Sequence, residues 1–224
     1  MAQTKLKEPS GDAKAHPKKA DLTQDERKAK RASKKAIKRV KRAQFLNKMP
    51  KGGVAIEIGV WRGEFSRKIL EAIQPKKLCL IDPWKNFDDH DDKAFSGREE
   101  DEKMDEIFAD VCKLYAEEIK SKQVIVMREM SGDALKRFRN GTINFAYVDG
   151  DHSYEGVKSD LEALFPKMVV GGVMAFDDYH RRGWWGDGVL RAIHEFIGAH
   201  PAEVRVLTVI GAQIAIEKIE PLAG

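Results

Sequence analysis

Short apolar runs recur along the chain after Pro50, and helical stretches alternate with them. Five such runs predict strands: Val54–Ile58, Lys77–Ile81, residues 123–128, Ile143–Val148 and residues 173–176. Strands that alternate with helices favour a parallel sheet with helices on both faces. Two last runs, residues 203–209 and Gln213–Lys218, flank Gly211 and predict an antiparallel hairpin. The sequence therefore predicts a Rossmann-like, doubly wound α/β fold with a mostly parallel sheet and a C-terminal antiparallel hairpin strand.

Charge divides the chain into two unlike parts. Residues 1–50 contain 16 Lys/Arg and 5 Asp/Glu, whereas residues 51–224 contain 24 Lys/Arg and 31 Asp/Glu. We therefore predict a basic N-terminal extension over residues 1–50, partly disordered and partly helical, and one α/β domain over residues 51–224. Thr23 is predicted to cap a helix over residues 24–47.

The basic arm has three interpretations, which stay open at this stage. It can bind RNA or another polyanion through counterion release, touch an anionic membrane surface, or form a solvated helix that packs on a partner subunit of a homo-oligomer. Phe45 is the one aromatic residue among positions 1–50, so base stacking is not supported. The solvated or partner-packing helix is favoured.

The remaining composition points to the cytoplasm. Cys79 and Cys112 are isolated and make neither a disulfide framework nor a zinc signature. No apolar run approaches the roughly 18–20 residues of a transmembrane helix, and the charged N-terminus lacks the apolar core of a secretory signal.

A glycine-bearing turn follows the first strand, and an acid follows the second. The turn is Glu57-Ile58-Gly59-Val60-Trp61-Arg62-Gly63, and Asp82 can accept hydrogen bonds from a ribose diol. The spacing G-x-x-x-G is not the dinucleotide fingerprint G-x-G-x-x-G. A carboxylate inside the loop, Glu57, repels a pyrophosphate but attracts a cationic group. The loop therefore favours S-adenosylmethionine (SAM) over NAD, with Trp61 among the cofactor-binding residues.

Acids also end the fourth and fifth strands. Asp149 follows the fourth, and Asp177 and Asp178 follow the fifth, so their carboxylates are expected to meet at one edge of the sheet. Carboxylates that converge repel one another unless a positive charge lies between them. A divalent cation such as Mg²⁺ is predicted there.

Three segments carry a resemblance to a known family. VAIEIGVWRGEFS, LCLIDPW and FAYVDGDHSYEGVKSDLEALFPKMVVGGVMAFDDYH resemble the motifs of class I SAM-dependent methyltransferases, in the metal-dependent macrolide-sugar and catechol-type O-methyltransferase group. The resemblance covers roughly residues 50–218. It implies that Glu57, Gly59 and Gly63 line the methionine part of SAM and that Ser131 lies near the adenine.

The same resemblance assigns the catalytic and metal-binding positions. Asp149, Asp177 and Asp178 match the metal ligands, and His152 matches the catalytic base. Asp149 is also predicted to take part in catalysis and in cofactor binding. A histidine can take the hydroxyl proton that methyl transfer to oxygen releases. The pair Asp177-Asp178 replaces the Asp-Asn of catechol-type enzymes, which favours the sugar type.

These observations predict a SAM-dependent methyltransferase, with Mg²⁺-assisted O-methylation of a small hydroxylated acceptor such as a sugar. The alternatives are an RNA or protein methyltransferase guided by the basic arm, and a binding protein that keeps the SAM fold without turnover.

Overall fold

The computed structural model describes residues 23–85, 101–180, 183 and 185–220. Two compact units divide the chain, Met1–Ile37 and Lys38–Gly224. In the first, a reciprocal capping box starts the long helix: the amide of Glu26 donates to Thr23 Oγ1 at 3.3 Å, and the amide of Thr23 donates to Glu26 Oε2 at 2.8 Å. The domain boundary at residue 50 stays a prediction.

The described elements alternate as the sequence predicts. The helices are α1 Gln24–Leu46, α2 Glu64–Ile73, α3 Asp101–Leu114, α4 Ala116–Lys120, α5 Ser131–Leu135, α6 Tyr154–Leu164 and α7 Gly188–Ala199. The strands are β1 Val54–Ile58, β2 Lys77–Ile81, β3 Val124–Met127, β4 Ile143–Val148, β5 Met168–Phe176, β6 Val204–Ile210 and β7 Gln213–Lys218. Among these described helices, none is long and apolar enough to cross a bilayer.

One seven-stranded sheet organises the second unit, in the order β3-β2-β1-β4-β5-β7-β6. The first five strands are parallel, and β7 runs antiparallel to both β5 and β6. The strand order reverses between β1 and β4, which is where open α/β sheets bind ligands. The doubly wound, mostly parallel fold with its C-terminal antiparallel strand is thus confirmed.

Each face of the sheet carries its own apolar cluster. One cluster joins alternate strand residues to buried side chains of α5, α6 and α7. The other joins the intervening strand residues to α2, α3 and the end of α1, where Phe45 and Leu46 are buried, and to Met49 just after α1. Side chains alternate between the two faces along a strand. A polar residue that follows a strand in step with the second cluster therefore lies on the face covered by α1, α2 and α3, which we call the α1–α2–α3 face.

Two element boundaries differ from the predicted ones. The sequence between the second and third strands predicts one helix over residues 106–121, but the structure divides this stretch at Tyr115, whose buried hydroxyl donates to the carbonyl of Gly63 at 2.5 Å. Strand β5 starts at Met168 instead of residue 173. Gly171, at φ 79°, lies where the register of β4 with β5 shifts, so the glycines form an irregularity inside the strand.

Candidate functional site

Strand register gathers the predicted site residues into one row. Glu57 of β1 pairs with Tyr147 of β4, and Tyr147 pairs with Ala175 of β5. Two residues further along, the same alternation brings Gly59, Asp149 and Asp177 to the carboxyl edge on the same face. The backbone bonds continue past the strand ends, since the amide of Asp149 donates to Ile58 and that of Asp177 to Val148.

The loop after β1 is held by Asp82. Its Oδ2 accepts hydrogen bonds from the amides of Val60 and Trp61 at 2.9 and 3.0 Å, and its Oδ1 accepts from the amide of Trp84 at 2.7 Å. A carboxylate offers about four acceptor positions, so about one remains for a ribose hydroxyl. The ribose role of Asp82 stays a prediction, and its observed role is to shape the loop.

Left-handed backbone conformations occur in this loop and in the segment after β2, where Trp84 lies. Gly59 and Gly63 have φ values of 84° and 73°, and Trp61 and Trp84 have φ values of 54° and 40°. Trp84 is buried, and its indole nitrogen donates to the carbonyl of Trp61 at 2.9 Å. Non-glycine residues in this region cost energy that the surrounding structure must supply, which is common at ligand-binding loops.

The two loop glycines are also required by packing. A Cβ at Gly59 would collide with the backbone of Asp149, and a Cβ at Gly63 would lie 2.9 Å from the ring of Tyr115. Gly59 therefore lets the loop pass close to the end of β4, which brings the predicted cofactor and catalytic segments together.

Substituting Gly59→Ala is expected to destabilise the protein by about 2–3 kcal/mol, because it adds a left-handed alanine and a backbone collision. Urea unfolding followed by circular dichroism measures the change. Gly132→Ala is the matched control, since a Cβ there meets no atom within 4 Å. Equal stability of both variants would contradict the packing role of Gly59.

Glu57 is a buried acid at the centre of the site. Its side chain is 1% exposed, and its Oε2 has no hydrogen-bond partner among the described residues. Burial, reinforced by the nearby carboxylates of Asp149 and Asp82, raises the pKa of Glu57 to about 8. A buried carboxyl in this state gains from any cationic ligand that meets it.

Tyr147 lies beside Glu57 and was not predicted as a site residue. It is fully buried, and its hydroxyl likewise has no partner in the described part of the chain. Burial, and then the Asp149 carboxylate, raises the pKa of Tyr147 well above its ordinary value. Two unsatisfied buried polar groups side by side indicate a place built for a polar ligand.

Ser131 starts α5, at the carboxyl end of β3. Its hydroxyl donates to Asp160 Oδ1 of α6 at 2.6 Å. Burial raises the pKa of Asp160 to about 6. This bond ties α5 to α6, so the observed role of Ser131 is structural, and its predicted position near the adenine stays a prediction.

His152 lies next to the acids, three residues after Asp149. Its Nε2 is 3.4 Å from Asp149 Oδ1 and is buried without a hydrogen-bond partner among the residues that the structure describes. Its ring stacks on Trp185, with centroids 4.7 Å apart and planes at 26°. The stacking fixes the imidazole plane and leaves a ring nitrogen for a ligand.

Two cations from the end of α1 meet the three acids. Arg42 Nη2 is 3.3 Å from Asp149 Oδ2 and also donates to Asp177 Oδ2. Lys38 Nζ is 3.4 Å from Asp177 Oδ2 and 3.8 Å from Asp178 Oδ1. The predicted convergence of carboxylates therefore occurs, with cationic side chains among them.

The donor set does not fit a divalent cation in this arrangement. Asp177 Oδ1 accepts a hydrogen bond from Gln213 Nε2, and its Oδ2 accepts from Arg42. Mg²⁺ needs open carboxylate oxygens at about 2.0–2.1 Å. Across residues 23–85, 101–180, 183 and 185–220, no group of three or more His, Cys, Asp or Glu side chains is arranged to hold a metal ion.

Comparisons with known proteins agree with this architecture. A family model described as a methyltransferase domain matches residues 56–179. A protein of Acanthamoeba polyphaga mimivirus is 25% identical over 142 residues, which are 63% of this chain; the aligned part covers 58% of the viral protein.

Solved structures share the fold at low sequence identity. The O-methyltransferase NovP matches with a TM-score of 0.57 and 19% identity, over 81% of each chain. An rRNA methylase from Streptococcus thermophilus matches with a TM-score of 0.51 and 12% identity, over 80% of this chain and 95% of its own. Because proteins named for such different acceptors share it, the fold alone does not select an acceptor.

Proposed function

The chain belongs to the methyltransferase-domain family, and from that premise we propose that it transfers the methyl group of SAM to a hydroxyl oxygen of a small acceptor. His152 carries the proposal, since its buried Nε2 has no hydrogen-bond partner among the described residues, lies 3.4 Å from Asp149 Oδ1, and stands at the edge of the sheet that also holds Glu57. A hydroxyl nucleophile needs such a base, because its proton must leave as the new bond forms.

In the proposed reaction, residues at this edge of the sheet accept the proton that methyl transfer releases. The acceptor oxygen forms a bond to the methyl carbon as the bond from that carbon to sulfur breaks. The hydroxyl proton passes to His152 Nε2, where Asp149, 3.4 Å away, stabilises the imidazolium. The products are S-adenosylhomocysteine and a methyl ether. Positioning of oxygen, carbon and sulfur in line supplies much of the acceleration.

Cofactor binding in the proposal uses the loop after β1. The unpartnered Oε2 of Glu57 supports a contact with the cationic amino group of SAM. Gly59 lets this loop pass directly against the backbone of Asp149, which keeps the proposed cofactor loop beside the proposed catalytic segment. The Mg²⁺ predicted from the sequence takes no part in the proposed steps, because Arg42 contacts the oxygens that it would need.

Two measurements on the full-length protein test this function. Calorimetry with S-adenosylhomocysteine should show one binding site per chain. Labelled methyl groups from SAM should pass to small hydroxylated compounds such as sugars. Failure to bind S-adenosylhomocysteine would overturn the proposal. Transfer of label to RNA, with none to small hydroxylated compounds, would instead support the alternative in which the basic arm guides a macromolecular acceptor.

A further inference from the structure

The C-terminal part of α1, which carries Lys38 and Arg42, belongs to the compact unit that contains the sheet. Phe45 and Leu46 are buried at 0% and 1% exposure in the apolar cluster on the α1–α2–α3 face. Arg42 precedes them by three and four residues, so it projects from the same side of the helix. The packing of Phe45 and Leu46 therefore holds Arg42 over the carboxyl edge of the sheet.

Arg42 makes contacts that a solvated surface arginine lacks. Its side chain is 16% exposed, and Nη2 contacts both Asp149 and the almost fully buried Asp177. Its guanidinium carbon lies 4.8 Å from the centroid of the Phe65 ring, which holds the guanidinium plane by a cation–π contact. Lys38, one helical turn earlier, adds a second positive charge beside Asp177.

We propose that Arg42 is the resident cation of this site, a positioning residue that takes the place of a divalent metal between Asp149 and Asp177. Its Nη2 contacts Asp149 Oδ2 and Asp177 Oδ2, so a cation already lies between two of the carboxylates that the sequence assigns to a metal. The guanidinium and the metal therefore exclude each other. The inference rests on the proposed function only in assigning these acids to methyl transfer.

The position of Arg42 in the chain and its remaining donor support this role. It lies before residues 56–179, so it is outside the part that the family model matches. Its buried Nε–H has no hydrogen-bond partner within the described ranges. A buried donor of this kind is available to a bound polar ligand.

Mn²⁺ binding to the full-length chain tests the inference without relying on activity. Paramagnetic resonance of free Mn²⁺ should show no stoichiometric site in the wild type below millimolar concentration. Arg42→Met should create one site that binds at least tenfold more tightly, because the acids lose their cation. Lys38→Met combined with Arg42→Met should bind more tightly still. Arg39→Met removes an exposed charge from the same helix and should behave as the wild type.

Several outcomes would overturn the proposal. One is stoichiometric Mn²⁺ binding by the wild type that Asp177→Asn abolishes, and another is methyl transfer by the wild type that stops with EDTA and returns with Mg²⁺. A third is the absence of a new site in a double variant that unfolds at the wild-type temperature. Binding of S-adenosylhomocysteine is measured in parallel, so loss of the proposed function is distinguished from loss of the Arg42 role.

Discussion

Substituting Glu57→Gln is expected to weaken SAM binding about 100-fold, equivalent to about 3 kcal/mol, because a buried cation loses its charged partner. Glutamine has nearly the same shape as glutamate and cannot ionise, so the apolar surroundings of position 57 stay filled. Calorimetry with SAM and with S-adenosylhomocysteine measures the change. The effect should appear in affinity, since the carboxylate holds the cofactor and does not touch the acceptor.

The pH dependence of binding gives this prediction a second readout. Because the pKa of Glu57 is raised to about 8 in the free protein, the carboxyl is largely protonated at pH 6. A cationic ligand requires the ionised form, so binding releases a proton and tightens about tenfold from pH 6 to pH 7. Glu57→Gln should remove this contribution to the dependence of SAM affinity on pH.

The same shift makes Glu57 costly for stability at higher pH. A carboxyl whose pKa is raised on folding binds more protons in the folded state than in the unfolded one between about pH 4.5 and 8. The free energy of unfolding therefore falls as pH rises through this window, by up to about 1.4 kcal/mol for each pH unit. Glu57→Gln should be more stable than the wild type at pH 8 in the absence of ligand.

Glu64→Gln is the matched control for both readouts. Glu64 starts α2 directly after the loop, but its side chain is exposed. Its substitution should leave affinity and slope close to the wild type. Equal SAM affinity of the wild type and Glu57→Gln, with parallel pH slopes, would show that Glu57 does not meet the cationic part of the cofactor.

Local sequence patterns were sufficient for the architecture. Strands β1, β2 and β4 have the predicted bounds, because each is an apolar run that polar or glycine residues end on both sides, and β7 also has its predicted bounds. Strand β5 was predicted too short, since Val170-Gly171-Gly172 is typical of a turn, whereas pairing with β4 extends the strand through it. That pairing depends on distant residues and leaves no local signal.

The alternation of side chains along the strands could also have predicted two further residues of the site. The alternation that places Asp149 on the α1–α2–α3 face places Tyr147 there too, two residues earlier in β4. Gln213 emerges next to Asp177 because Ile214 pairs with Phe176. Both residues were accessible from the predicted strands, given the neighbours of each strand in the sheet.

The role of Arg42 was not accessible from such patterns. It contacts Asp149 and Asp177, which are 107 and 135 residues away in sequence, through a helix whose basic face is typical of a solvated surface. The sequence predicted that the converging acids need a positive charge, and that requirement is met in the structure. Which cation meets it depends on the docking of Phe45 and Leu46, which local periodicity does not encode.

The largest expected effect on turnover is that of His152→Ala, which should lower kcat by about 10²–10⁴-fold. The substitution removes the group that accepts the acceptor proton, whereas the cofactor loop after β1 is not touched. Binding of S-adenosylhomocysteine should therefore stay within about twofold of the wild type. The loss should shrink as pH rises, because the acceptor then ionises without the base.

His200→Ala provides the matched control for His152→Ala. His200 ends α7, and its Nδ1 contacts the carbonyl of Phe196 at 3.0 Å, so its substitution removes an imidazole that the proposed reaction does not use. Its kcat should remain within about twofold of the wild type. Trp185→Phe keeps an aromatic ring against His152 and should retain most activity, whereas Trp185→Ala frees the imidazole plane and should lower kcat with little change in cofactor affinity. Wild-type kcat in His152→Ala would remove the general base from the mechanism and leave positioning by the sheet edge as the source of catalysis.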